Sequence, residues 1–303
     1  MSYSFLKESK LYLVYGGNKY RIYTNSAITF NQTFAEDSYS VKTLHDQSKM
    51  FEGSTITKAN PANFSFEVPL TTEKDESIVI TLLSDLTDAQ LKSFDIYVQT
   101  GSSTFKIENA VITNADFAFG TRDQFLVAVS GQGTKLTRAG NESYTIPGTA
   151  QSESATRTPL AIYPVITLDS LSMGSIVSAN VSISTEISWT KYDNLHDSLS
   201  VTSSSNAMFP STYTIDKRIA SGAIMQYQTD NNITQFDDFN TSSDLTLKAV
   251  ETGKASSDSG FFQLQLNPIS YTARMNVADV YTQSYDFTST DNTAISTRIT
   301  QYS

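Results

Sequence analysis

At 303 residues with 39% hydrophobic side chains, the chain has material for one large core or for two domains of the usual size, about 100 to 150 residues each. Its 21 basic and 31 acidic residues leave a net charge of -10, which removes the basic footprint that drives affinity for nucleic-acid phosphates. No cysteine is present, so disulfides, thiolate metal sites and thiol catalysis are excluded.

Val, Ile, Thr, Tyr and Phe recur at alternate positions between clusters of Gly, Asn, Asp and Pro, the pattern of strands and turns. In chain order, the N-terminus carries Lys7, Glu8 and Lys10 where an export signal needs an apolar core. No run reaches the roughly 18 apolar residues of a membrane-spanning helix, so a soluble protein without membrane anchoring is expected. Ala27-Ile28-Thr29-Phe30 alternates as a strand, and a polar, turn-rich stretch fills 47 to 62. Phe64-Ser65-Phe66-Glu67-Val68 alternates again. Acidic residues at Glu73, Asp75 and Glu76 precede Ile78, Val79, Leu82, Leu83 and Leu86 at helical spacing, which predicts a helix against the β preference of Ile78-Val79-Ile80. Strands follow over Phe94 to Val98, Phe105 to Glu108, Val111 to Phe119 and Phe125 to Ser130, and Gly131-Gln132-Gly133 reads as a turn.

Beyond Ala139 the same order returns. Asn180-Val181-Ser182-Ile183 alternates, 198 to 212 is polar, and Ala223-Ile224-Met225-Gln226-Tyr227 alternates with Ala223, Met225 and Tyr227 set on the apolar face. Ile233, Phe236 and Phe239 stand at helical spacing behind Asp230 as N-cap. Strands are then expected over Leu245 to Ala249, Phe262 to Gln265, Ile269 to Val277 and Val280 to Phe287. The only two histidines lie in matching tripeptides, Leu44-His45-Asp46 and Leu195-His196-Asp197, half a chain apart. This shared order predicts an internal duplication. The fold class expected is all-β with minor α: two tandem domains, each with one short flanking helix. Residues 1–138 form the first, 139–158 an aperiodic linker rich in Gly, Ser, Thr and Pro, and 159–303 the second. Both halves are acidic, with 13 basic and 16 acidic residues in 1–151, and 8 and 15 in 152–303.

Chemistry is scarce. His45 and His196 fall in sister positions and so in different domains, and neither has further metal ligands at useful spacing. The glycines at 131 and 133 lack the third glycine and the βαβ setting of a dinucleotide fingerprint. Asp237-Asp238 reads as a solvated face. Trp189, the single tryptophan, reads as packing rather than a sugar platform. No catalytic, cofactor or metal residue is expected, and the protein is read as a non-enzyme.

Three stretches carry a resemblance: Phe5-Leu6-Lys7-Glu8-Ser9-Lys10-Leu11-Tyr12-Leu13-Val14, running directly into a strand; Phe94 to Val98, leading through a turn to Phe105 and Ile112-Thr113-Asn114-Ala115-Asp116; and Phe125 to Val129, closed by Ser130-Gly131-Gln132-Gly133. With the duplication, they resemble the tail tube proteins of long-tailed bacteriophages, in the two-domain form. The resemblance implies β-sandwich domains whose inner sheets join edge to edge, three chains making a pseudo-hexameric ring, and rings stacking into the conduit for DNA ejection. It also implies contacts between rings through 47 to 62 and 198 to 212, with Met50, Phe51, Ile56, Lys58, Met208 and Phe209 as the contact residues. The implied partners are further copies of the chain, the tape measure, the tail tip or baseplate, and a sheath where one exists, with DNA passing unbound through the lumen. The implied location is the virion, after synthesis in the bacterial host cytoplasm. A tube-initiating or terminating ring would use the same fold, while a carbohydrate-binding or adhesive double sandwich is the alternative from another class.

Overall fold

The computed structural model describes residues 9–24, 26–39, 53–69, 74–83, 91–120, 125–151, 162–169, 171, 173–189, 208–232, 239–255, 257, 262–277, 279–289 and 299–301. The elements are strands β1 (Lys10–Tyr15), β2 (Asn18–Ile22), β3 (Thr29–Asn31), β4 (Phe34–Tyr39), β5 (Gly53–Ala59) and β6 (Ala62–Pro69), then helix α1 (Lys74–Leu83). The chain continues through β7 (Phe94–Gln99), β8 (Ser103–Gly120), β9 (Leu126–Gly133), β10 (Lys135–Asn141) and β11 (Thr149–Ala150). The second half holds β12 (Ile162–Leu168), β13 (Ile176–Trp189), β14 (Tyr213–Tyr227), β15 (Phe239–Glu251), β16 (Phe262–Asn276), β17 (Thr282–Ser289) and β18 (Ile299–Gln301). Among the described residues the protein is all-β apart from α1, as the residue alternation predicts.

Sixteen strands share one sheet, and β4·β5 is a separate two-stranded ribbon. In the first half β1 pairs with β7, β7 with β8, β8 with β9 and β10, β9 with β6, and β6 with β3. In the second half β12 pairs with β15, β15 with β16, β16 with β17 and β18, β17 with β14, and β14 with β13. Apart from β2 and β11, which extend the first half beyond β1, the order is the same strand for strand, and these pairs are all antiparallel. One antiparallel ladder joins the halves: β8 from Asn114 to Gly120 with β13 from Ser184 to Ser178.

Two pairs of expected strands are each one long strand. Phe105 to Glu108 and Val111 to Phe119 run on as the 18-residue β8, and Phe262 to Gln265 and Ile269 to Val277 run on as β16. β8 bends at Asn109, whose φ is 47°, a left-handed value that Asn tolerates through local hydrogen bonding. Asp95 Oδ1 accepts the Asn109 N–H at 3.1 Å, and the β7·β8 register shifts between Phe94 and Ile96 at the same place. An extra residue therefore bulges there and re-aims the strand.

The glycines at 131 and 133 lie inside β9 and not in a turn. A Cβ on Gly131 would stand 2.1 Å from the Val111 carbonyl oxygen and 2.5 Å from the Phe64 ring, and one on Gly133 would stand 2.4 Å from Ile107. Close backbone approach requires the two glycines here, not chain reversal. The alternation over 223–227 is also out by one: Ile224 and Gln226 are the buried residues, and Tyr227 is exposed. Burying Gln226 is tolerated because its amide nitrogen donates to Gln283 Oε1 at 3.1 Å and to the Tyr285 hydroxyl at 3.2 Å.

Helix α1 forms where acidic residues and apolar spacing predict it. Ile78, Val79, Ile80, Leu82 and Leu83 are all buried, so tertiary burial outweighs the β preference of the branched run. Lys92 donates to the Thr81 carbonyl near the helix C-terminus at 3.1 Å. Of the second expected helix, Asp230 stands in a turn and Phe239 opens β15, while Ile233, Phe236 and Asp237-Asp238 lie outside the described residues. Within the stretch expected to link the halves, 139–141 ends β10, and Thr149–Ala150 pairs in parallel with β2. Most of the buried apolar residues form one cluster reaching from Leu11 to Phe287. Phe262 of the second half lies 5.1 Å from Phe117 and 5.5 Å from Phe125 of the first.

Candidate assembly surfaces

A single run of seven strands, β6-β9-β8-β13-β14-β17-β16, crosses both halves. Alternation puts one set of its side chains into the core and the other on the opposite face. On that opposite face, the register aligns Glu67, Ala128, Asp116, Ser182, Ser221, Thr288 and Ser270 in one row straight across the sheet. Two residues along, the parallel row is Pro69, Leu126, Ala118, Asn180, Ala223, Asp286 and Thr272. Neither row holds a lysine or arginine, and the ionisable groups are Glu67, Asp116 and Asp286. Asn114 donates to Asp116 Oδ2 at 2.9 Å, and Arg274 forms an ion pair with Asp286. A shallow depression on this face is lined by Glu67, Asp116, Ala118, Asn180, Ser182 and Ser221, among others. It offers no nucleophile paired with a base, and among the described residues no group of three or more His, Cys, Asp or Glu could hold a metal ion.

The residues expected between rings are spread over two places. Ile56 and Lys58 are exposed on β5 of the isolated β4·β5 ribbon. Part of the stretch from 47 to 62 is thus an arm of strand rather than loop. Met208 is buried, and the Phe209 ring lies 4.6 Å beneath Lys135 Nζ, a cation–π contact. Met50 and Phe51, like His45 and His196, lie outside the described residues. Trp189 is committed to packing: its Nε1 donates to Gln132 Oε1 at 2.8 Å and its ring lies 5.1 Å from Tyr213. That leaves no tryptophan for a sugar platform.

One ionic cluster sits on the β7·β8 ladder. Lys106 Nζ is 3.1 Å from Asp95 Oδ2 and 3.4 Å from Glu108 Oε1, and 5.8 Å from the Tyr97 ring centroid. Burial alone would lower the Lys106 pKa, but the Asp95 hydrogen bond and the surrounding negative charge outweigh it and hold it above the ordinary lysine value. Burial raises the Tyr97 pKa, opposed by Lys106. The cluster braces the ladder. Sequence reasoning missed the acidic row, because it depends on which strands end up adjacent.

A family model described as the Bacteriophage Baseplate Tube Protein Family matches residues 1–300 of the chain. No curated protein matches it.

Proposed function

Because the chain belongs to the bacteriophage baseplate tube protein family, a structural family of the phage tail and virion, we propose that three copies close into a pseudo-sixfold ring of the tube wall. The observation that carries this reading is the repeated pairing order: two strand sets of the same order are joined edge to edge by β8·β13 in one sheet. A sheet built this way leaves a strand edge at each end, and ring closure satisfies both. On this reading the chain is an internal duplication, with 1–138 and 159–303 as the repeated parts.

The two small, acidic, lysine-free rows of the seven-strand sheet line the lumen. DNA carries a dense negative charge, so a wall with Glu67, Asp116 and Asp286 and no unpaired cation in these rows does not hold it, and the genome slides during ejection. Rings stack head to tail, with the β4·β5 ribbon carrying the exposed Ile56 and Lys58 to the neighbouring ring, while Met208 is buried and stays out of the contact. The partners are other copies of the chain and the tape measure, baseplate and sheath proteins of the tail.

Electron microscopy of the concentrated protein tests the reading: rings or tubes with a central channel are expected, and a monodisperse monomer at high concentration sinks it. The family's place in the baseplate favours the tube-initiating position over a repeat along the whole tail. A gold label on the protein should then decorate one end of the phage tail, and label along the full length would return it to the general tube.

A further inference from the structure

The registers match the two halves residue by residue. The pair Ile96 and Ile107 corresponds to Leu247 and Leu264, and the inward row Ala115, Val129, Phe66 corresponds to Tyr271, Phe287, Gly222. Followed outward, Phe117 and Phe119 on β8 correspond to Ala273 and Met275 on β16. On the other flank, Val181 and Ile183 on β13 correspond to Ile28 and to Phe30 of β3.

At the junction in the middle of the chain these positions are closed: Phe117, Phe119, Val181 and Ile183 are each 1% exposed. Their counterparts at the two ends are open. Met275 is 40% exposed, and Ala273, Ile28 and Phe30 are only partly covered. Phe262, fully buried against Phe117, corresponds to Phe105, which is only partly covered. Among the described residues β3 pairs on one side alone, with β6.

The β16 edge is not entirely free. Phe239 and Asn240 pair with Thr272 and Tyr271, the positions that correspond to Asp116 and Ala115, which take β13 in the first half. β7 has no such extension, since it starts at Phe94, the counterpart of Leu245. The extension is poorly made: the register breaks twice between Asn240 and Leu245, the buried Ser243 hydroxyl has no partner, and Phe239 is 72% exposed. A large apolar side chain in water and an unsatisfied buried hydroxyl both weaken this pairing.

We infer that Phe239–Asn240 is a placeholder, and that the β16 edge it covers is the docking site for β3 of a second copy of this chain, in the register that joins β8 to β13. Thr272 then faces Thr29 of the second copy, and Arg274 faces its Ala27. Docking buries Ala273 and Met275 against Ile28, Phe30 and Phe105 of that copy, as Phe117 and Phe119 are buried against Val181, Ile183 and Phe262 within the chain. The occupant is a second copy because β3 carries the edge and side-chain pattern that β13 presents to β8 within the chain. The inference rests on the ring reading and adds which edges meet and what must move first.

The chain has no cysteine, so cross-strand disulfides report the register directly. The double variant Ala27→Cys/Arg274→Cys, oxidised after assembly, is expected to give linked species of two and three chains on a non-reducing gel. Ala27→Cys/Ser270→Cys, which this register holds about 13 Å apart, is expected to give none. Rings by electron microscopy without the first cross-link, or with the second instead, overturn the inference and leave the ring reading standing. No assembly of the unmodified protein at any concentration overturns both. For the placeholder, Asn240→Pro and the milder Phe239→Gly are expected to lower the concentration needed for assembly several-fold. An unchanged or raised threshold in the variant that keeps the native circular dichroism overturns that part.

Discussion

Gly131 sits where two backbones come close enough that a single methyl group has nowhere to go, 2.1 Å from the Val111 carbonyl oxygen. Gly131→Ala should cost about 1 to 3 kcal/mol, the usual penalty of overpacking, read as a lower urea midpoint with an unchanged slope. Asp95 does two jobs at the β8 bend, accepting the Asn109 N–H through one oxygen and pairing with Lys106 through the other. Asn109→Gly should be tolerated, whereas Asn109→Val should lose about 1 to 2 kcal/mol to the left-handed backbone. The Lys106 ion pair has a signed pH dependence. Its folded pKa is raised, so its contribution is fully present below the unfolded lysine value near 10.4 and is lost as pH rises through the folded value. The gap in stability between the native chain and Lys106→Met should therefore shrink in urea titrations above about pH 10.

Among the elements, β8 does the most. Its first half pairs with β7 and β10, its second with β9 and β13, and its Phe117 and Phe119 meet Phe262 across the junction. Phe117→Ala should cost about 3 to 5 kcal/mol, the range for removing a buried phenyl ring, and thermal unfolding would show it. The second half tolerates a different solution at the same depth: Gln226, Gln283 and Tyr285 form a buried polar group, and Gln283 Nε2 also donates to the Asn232 carbonyl at 3.3 Å. Where the first half buries Phe125, the second buries the amide of Gln283, which is hydrogen-bonded rather than apolar.

For the whole molecule, the continuous core and the β8·β13 ladder decide how separable the halves are. Residues 1–138 expressed alone would lose β13 and Phe262 and expose Phe117, Phe119 and Phe125 on an open strand edge. That fragment should self-associate in size-exclusion chromatography, and a stable monomer would count against the shared core. The charge of the proposed lumen gives a second test. Asp116→Lys with Ser182→Lys puts two cations in the central row, and assemblies of this variant should retain DNA at low salt and release it as salt rises, whereas native assemblies should retain none.

The sequence by itself determined the strand content, helix α1, the acidic charge and the repeated order of elements. Each of these is written in local alternation, in first-turn carboxylates or in composition, and needs no knowledge of neighbours. Only the tertiary structure decided that Gly131 and Gly133 lie in a strand, that Ile224 and Gln226 rather than Met225 and Tyr227 face inward, and that pairs of expected strands are single bent ones. A close backbone approach, a buried amide whose nitrogen finds Gln283 and Tyr285, and a bulge held by Asp95 are all set by residues distant in sequence. The same holds for the lysine-free row and the half-covered β16 edge. Strand adjacency puts Glu67, Asp116 and Ser182 side by side and leaves Met275 open, and long-range pairing fixes adjacency after the local pattern has made the strands.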